Sequence, residues 1–124
     1  MEQKHLVFVY GTLRKEHSNH HLLKDAYFYG LGSSESSYAM YLKKGYPYIT
    51  GSEARYQIVG ELYAVDDSTL LALDKFEGHP RYYKRKEISV MVNEQLYDAW
   101  TYFLDPPGVL MQSGDFNDVI HGKV

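Results

Sequence analysis

The sequence predicts an α+β protein, a small and mostly antiparallel β-barrel with one main helix, in a single domain spanning residues 1–124. Three observations favour this fold. Most of the chain consists of short β-branched and aromatic runs separated by glycine or proline. One segment combines helix-capping residues with helical periodicity. The 124 residues provide enough length for one hydrophobic core and little beyond it.

The predicted strands differ in how clearly their ends are marked. The first, His5–Tyr10, is apolar enough to be buried on both faces and ends at Gly11. Other strands are predicted at Tyr56–Val65 and Tyr82–Val92. A hairpin loop at Asn93–Gln95 then leads into a return strand at Leu96–Leu104, and Pro106–Gly108 ends that strand. Gly60 predicts a bulge, a bend or the close approach of another backbone. Short strands and turns are predicted for Tyr27–Ile49, and one or two helical turns for Ser18–Asp25, with Leu22 and Leu23 facing inward.

The main helix is predicted for residues 66–78. Asp66 and Asp67 place capping oxygens and negative charge at its beginning. Gly78 suits the position just after the last turn, and Pro80 prevents the helix from continuing.

Composition excludes several functional classes. A net charge of −3 argues against nucleic acid or an anionic membrane as the main partner. The absence of cysteine excludes disulfides, thiolate metal sites and a cysteine nucleophile. With no long apolar run and no signal peptide, we expect a cytoplasmic monomer. Most of the 13 tyrosines are expected on the outer faces of strands, and some in a pocket that also hydrogen-bonds a ligand.

Two places can carry chemistry. The turn Tyr10–Leu13 follows a buried strand, and its glycine lets a ligand approach backbone N–H groups that can hold a carboxylate or an oxyanion. An ordinary structural turn is the alternative there. On the predicted helix, Glu77 shares the apolar side with Leu70 and Leu73, while Asp74 and Lys75 are expected to point away. Partial burial would make Glu77 a general base, unless it turns outward or pairs with Arg81 or Arg85.

Other candidates are weaker. His17 and His21 are four residues apart, with His20 between them, but no acidic or cysteine partner stands at a matching spacing, so no metal site is predicted. The basic residues Arg81, Lys84, Arg85 and Lys86 are interrupted by tyrosines and predict a solvated strand face.

Three motifs, taken together, resemble the γ-glutamylcyclotransferase-like (AIG2-like) family, and the run from Val7 through Asn19–His20 most closely resembles its γ-glutamylamine cyclotransferase branch. The three motifs are the run Val7–Arg14, the run Gly60–Tyr63, and the run Leu73–Gly78 followed by Tyr82 or Tyr83; Ser113–Phe116 resembles a signature near the family's C-terminus. One departure is the run Arg14–Glu16, which has no glycine where that branch has one.

The resemblance implies a compact α+β fold around a small barrel, with neither a metal nor an organic cofactor. It implies a small-molecule γ-glutamyl substrate, whose α-amine attacks the γ-carbonyl to give 5-oxoproline and a free amine or amino acid. Tyr10, Gly11, Thr12 and Leu13 would form the substrate loop, Glu77 would be the catalytic acid/base, and Tyr102 best matches a late tyrosine near the substrate. Two alternatives stay open: a binding module that uses the same pocket without turnover, and removal of a γ-glutamyl protecting group from a biosynthetic intermediate.

Overall fold

A computed structural model describes residues 4–105 and 108–120. Seven strands, two α-helices and one short 3-10 helix make up this part of the chain. The strands are β1 His5–Val9, β2 Tyr27–Lys43, β3 Tyr46–Thr50, β4 Tyr56–Val65, β5 Lys84–Val92, β6 Gln95–Phe103 and β7 Val109–Leu110. The helices are α1 Asp67–Glu77 and α2 Asn117–Ile120, and the 3-10 helix is His20–Leu23. None of the helices in these residues is long and apolar enough to cross a membrane.

Five strands close into a barrel in the order β1, β4, β2, β3 and β6, with β6 returning to β1. The pairs along β1, β4, β2 and β3 are antiparallel, whereas β6 runs parallel to both β3 and β1. Strand β5 pairs antiparallel with β6 and with part of β2. The predicted fold class, a small and mostly antiparallel barrel with one main helix, is therefore confirmed.

Strand β2 corrects the prediction of short strands and turns across Tyr27–Ile49. It is one strand of 17 residues, with irregular register between Phe28 and Gly30 and again between Ser33 and Ser37. These irregularities bend the strand, so that it pairs with β3, β4, β5 and β7 along its length. Glycine permits close contact at the bend, because a Cβ on Gly32 would lie 2.2 Å from the carbonyl oxygen of Met91.

Strand β1 is buried on both faces, as predicted. Val7 and Val9 pack in one hydrophobic cluster and Phe8 in the other. Strand β4 lies close beside it, since a Cβ on Gly60 would lie 2.5 Å from the carbonyl oxygen of Val9. Of the three possibilities for Gly60, close backbone approach is therefore the one observed. The chain leaves β1 at Tyr10 and enters the loop predicted to bind substrate.

Helix α1 begins and ends as its sequence predicts. The Asp66 carboxylate accepts a hydrogen bond from the Thr69 amide at 2.8 Å, and Gly78 ends the helix with a φ of 72°. The β5–β6 hairpin turns through Asn93 and Glu94, both at positive φ. In the 3-10 helix, Leu23 is buried and Leu22 is partly buried. Of the predicted break at 106–108, Pro106 and Pro107 lie outside the described residues.

Candidate active site

A cavity of about 460 Å³ lies between the loop after β1, the beginning of β3 and the end of α1. Apolar and aromatic side chains form most of its wall, including six of the 13 tyrosines. The tyrosines are Tyr10, Tyr46, Tyr48, Tyr82, Tyr83 and Tyr102. Among the 18 described residues that line the cavity, the charged ones are Lys43, Lys44 and Glu77. This size suits a small molecule of amino acid to dipeptide dimensions.

Glu77 is the last residue of α1 and lines this cavity. Burial raises the pKa of its carboxyl group to about 7, because the charged form loses water. Within residues 4–105 and 108–120, no side chain forms an ion pair with it. Arg85, one of its two expected alternative partners, pairs instead with Asp74. The carboxyl group therefore carries a proton about half the time near neutral pH, which suits a group that both takes and returns protons.

Asp74 corrects the expectation that it points away from the interior. It accepts two hydrogen bonds from Arg85, at 2.8 and 3.1 Å, and one from the Tyr102 hydroxyl at 2.7 Å. Residues four apart share a helix face, so Asp74 lies on the same side of α1 as the buried Leu70. Arg85 is accordingly not part of a solvated strand face, since it is largely buried and lies over the ring of Trp100. Lys75 is exposed, as expected.

The loop after β1 passes close to β3 at Gly11. A Cβ on Gly11 would lie 2.6 Å from the Cγ atom of Pro47, so only glycine fits without displacement. The hydrogen bonds that fix the loop use the amides of Arg14 and Asn19 as donors, to Gly11 and Thr12 respectively. The Asn19 side chain also donates to the Thr12 hydroxyl at 2.9 Å. The amides of residues 11–13 donate none of these bonds.

A buried ionic network supports this loop, and sequence analysis did not predict it. Arg14 is only 3% exposed and pairs with Glu61 at 3.4 Å and with Asp115 at 2.9 Å. Glu61 also accepts hydrogen bonds from the Tyr63 hydroxyl and the Lys15 amide, both at 2.9 Å. The four side chains of this network, Arg14, Glu61, Tyr63 and Asp115, all lie in motifs that carried the family resemblance. Their contact depends on strand pairing between distant segments, which motif spacing alone does not reveal.

Three tyrosine hydroxyls in the cavity donate to fixed acceptors. Tyr10 donates to the Tyr102 carbonyl at 2.7 Å, Tyr83 to the Pro47 carbonyl at 2.9 Å, and Tyr102 to the Asp74 carboxylate at 2.7 Å. Burial raises the pKa of all three phenols, so they stay protonated. Of the two tyrosines considered after the helix, Tyr83 is buried, whereas Tyr82 is half exposed at the cavity edge.

The histidines considered for a metal site have other contacts. The His17 ring is hydrogen-bonded to the Asn117 side chain at 2.7 Å, and the His20 ring to the Leu13 carbonyl at 2.9 Å. Across the part of the chain that the structure describes, no group of three or more His, Cys, Asp or Glu side chains can hold a metal ion. The His20 contact attaches the 3-10 helix to the loop at Leu13.

Several proteins are similar to this chain in sequence or in fold. A protein of Methanocaldococcus jannaschii, provisionally named a gamma-glutamylcyclotransferase, is 44% identical over 115 residues, covering 90% of this chain and 95% of the relative. The human gamma-glutamylaminecyclotransferase is 35% identical over 97 residues, covering 72% of this chain and 63% of the relative. An uncharacterized protein of Pyrococcus horikoshii has a crystal structure that superposes with a TM-score of 0.76 at 26% identity, covering 96% and 95% of the two chains.

A mouse AIG2-like protein has a similar crystal structure, with a TM-score of 0.74 at 28% identity, covering 82% of this chain and 78% of that one. The family model described as "Gamma-glutamyl cyclotransferase, AIG2-like" matches residues 7–118. This match includes the loop after β1, helix α1 and the network around Arg14. The chain therefore belongs to the gamma-glutamyl cyclotransferase, AIG2-like family.

Proposed function

We propose that this protein converts a γ-glutamyl amine or γ-glutamyl amino acid into 5-oxoproline and a free amine, with Glu77 as the general acid/base. One observation carries the proposal. Glu77 has a carboxyl pKa of about 7 and lines the same cavity as the loop of residues 10–13. A desolvated carboxyl group without an ion-pair partner is costly for stability, and such groups concentrate at functional sites.

The loop after β1 is the proposed binding segment for the glutamyl group. The amides of residues 11–13 donate none of the hydrogen bonds that fix the loop, so they are available to a carboxylate or an oxyanion. Pro47 packs against Gly11, and residues 11–13 line the same cavity as Pro47. Tyr10, whose hydroxyl donates a hydrogen bond to the backbone carbonyl of Tyr102, and Tyr102 itself complete the proposed binding surface.

The reaction needs no protein nucleophile. Glu77 takes a proton from the substrate α-ammonium, and the free amine attacks the γ-carbonyl carbon to form the new C–N bond. When the tetrahedral intermediate collapses, the bond to the leaving nitrogen breaks, and Glu77 returns a proton to that nitrogen. Over the whole reaction the ring nitrogen loses two protons and the leaving nitrogen gains two. Glu77 carries the first, and the second follows by the same route once Glu77 is deprotonated again, so the amine leaves as an ammonium and atoms and charge balance.

Ring closure within one molecule gains most from orientation. Holding the glutamyl chain folded can supply as much as about 7–11 kcal/mol of the barrier reduction. The aromatic wall of the cavity provides that restraint, since Tyr83 and Tyr102 are fixed by hydrogen bonds and cannot rotate freely.

The test is release of 5-oxoproline by the parent protein and by Glu77→Gln. The substrates compared are γ-glutamyl-lysine, other γ-glutamyl amines, γ-glutamyl amino acids and glutathione. The compound that reacts fastest identifies the preferred leaving group. Glu87→Gln is the matched control, because Glu87 is an exposed glutamate on β5. We expect a loss of at least about 100-fold in Glu77→Gln and no change in the control.

Two results would contradict the proposal. Parental turnover in Glu77→Gln would remove the general base. Binding of γ-glutamyl compounds by the parent protein without any cyclic product would instead favour a binding module that uses the same cavity.

A further inference from the structure

The exposed part of the cavity wall has a composition of its own. Under the proposed function, the glutamyl group lies beside Glu77 and the loop of residues 10–13. The other lining residues are buried or partly buried except for five that are exposed to solvent, and we call these five the rim. The part of a substrate beyond its γ-carbonyl has to extend toward the rim, where the cavity opens to solvent. The rim consists of Lys43, Lys44, Tyr46, Phe76 and Tyr82.

Two lysines give the rim a positive charge. Lys44 and Gly45 form a two-residue turn between β2 and β3, with φ angles of 53° and 82°. This tight turn places Lys43 directly opposite Tyr46, so that their side chains leave the hairpin on the same face. Neither lysine forms an ion pair in the part of the chain that the structure describes. Both ammonium groups are therefore available to a negatively charged group of a ligand.

Three aromatic rings form the rest of the rim. Tyr46, Phe76 and Tyr82 are each about half exposed, although most of their ring surface is apolar. The Tyr82 ring packs edge-on against the buried Tyr83, with the ring centroids 5.3 Å apart, and this contact restrains it. Exposed aromatic side chains that gather at the opening of a cavity favour contact with a ligand, because covering them removes apolar surface from water.

We propose that the rim binds the leaving group and selects γ-glutamyl amino acids with an apolar side chain over γ-glutamyl amines. The inference rests on the proposed function and narrows its substrate class. The carboxylate of the leaving amino acid pairs with Lys43 and Lys44, while its side chain covers the aromatic rings. A γ-glutamyl amine lacks this carboxylate, and the two lysines repel a cationic amine.

The first test measures kcat/KM for release of 5-oxoproline from γ-glutamyl-phenylalanine and γ-glutamyl-phenethylamine, which differ only in the carboxylate. The parent should prefer γ-glutamyl-phenylalanine by about five- to tenfold at low salt, because exposed charge pairs contribute modestly. Both Lys43→Gln/Lys44→Gln and high salt should reduce this preference to about twofold or less.

The matched control for this test is Lys24→Gln/Lys75→Gln. It removes the same charge from two exposed lysines that do not line the cavity, so it should keep the preference of the parent. A parent without the preference, or a rim variant that retains it, would overturn the proposal.

The second test compares γ-glutamyl-phenylalanine with γ-glutamyl-alanine, which differ only in the phenyl ring. Tyr46→Ser and Tyr82→Ser should each lower kcat/KM about fivefold for the phenylalanine compound and less than about twofold for the alanine compound. The control Tyr27→Ser changes an exposed tyrosine on β2 outside the cavity and should alter neither value. Equal losses for both compounds in the rim variants would indicate a merely structural role and overturn the proposal, as would unchanged values.

Failure of the proposed function gives a different pattern. In that case the parent releases no 5-oxoproline from any of these compounds, and NMR titration measures the same preferences as dissociation constants. Tighter binding of γ-glutamyl-phenylalanine than of γ-glutamyl-phenethylamine would support the rim as a carboxylate site. Equal binding of the two compounds, or no binding of either, would overturn it.

Discussion

Replacing Glu77 with glutamine keeps the size of the side chain and removes a charge that is costly inside the cavity. The carboxyl pKa is raised to about 7 in the folded protein from an ordinary value of 4.5, and burial is the cause. The folded state therefore binds more protons than the unfolded state between these two values. The free energy of unfolding should fall as the pH rises through this range, and the full cost should be present above pH 7.

The size of the effect follows from the same two values. The interval between 4.5 and about 7, at about 1.4 kcal/mol for each pH unit, sets an upper limit of about 3 kcal/mol. Glu77 is only partly buried, and water in the cavity screens its charge, so we expect about 2 kcal/mol. The cost is comparable to that of many core substitutions, which makes it measurable.

Chemical denaturation at pH 5 and pH 8 measures this cost. The parent, Glu77→Gln and the control Glu87→Gln are compared, so that all other titrating groups cancel in the differences. The difference in free energy of unfolding between Glu77→Gln and the parent should grow in favour of the variant by about 2 kcal/mol from pH 5 to pH 8. The same difference for the control Glu87→Gln should stay constant. An advantage that is the same at pH 5 and pH 8 would refute the reasoning, because Glu77 would then titrate as in solvent.

Three further predictions concern the loop after β1. Gly11→Ala should lower the free energy of unfolding by about 1–3 kcal/mol in chemical denaturation and also weaken binding of γ-glutamyl compounds, because the alanine Cβ would clash with Pro47. Unchanged binding would contradict this prediction. Glu16→Gly should raise the melting temperature and stabilise by up to about 1 kcal/mol, because Glu16 has a φ of 70°; a loss of stability would count against it. Arg14→Met should lower the free energy of unfolding, measured by chemical denaturation, by about 3–5 kcal/mol, because it leaves Glu61 buried without its ion-pair partner. A loss below about 1 kcal/mol would argue against a stabilising role of the network.

Local chemistry explains which elements could be predicted from the sequence. The ends of α1 depend on Asp66 and Gly78, each of which acts on its own turn of helix. The continuous apolar run of β1 predicts a strand that is buried on both faces, and Val7, Phe8 and Val9 are buried. Strand β2 was predicted as several short strands and turns, because its continuity depends on a partner as distant as Val92, and its glycines resemble turns when considered alone.

The candidate site divides in the same way. Helical periodicity placed Glu77 on the buried side of α1, and its position in the cavity agrees with that expectation. The same periodicity was misapplied to Asp74, which shares its side with Leu70 and fixes the Tyr102 hydroxyl. The run Arg14–Glu16, which has no glycine where the related branch has one, contains one residue, Glu16, in a backbone conformation that favours glycine. The contacts of Arg14 join segments about 100 residues apart in the chain, beyond the reach of local patterns.

The pH dependence of kcat/KM for release of 5-oxoproline tests the central claim most directly, because it reports the ionisation of the free protein's base. With Glu77 as that base, activity should rise from acid pH with a midpoint near pH 7, and Glu77→Gln should lose both the activity and this acidic limb. An acidic limb with its midpoint near pH 4.5, or one that persists in Glu77→Gln, would contradict the claim.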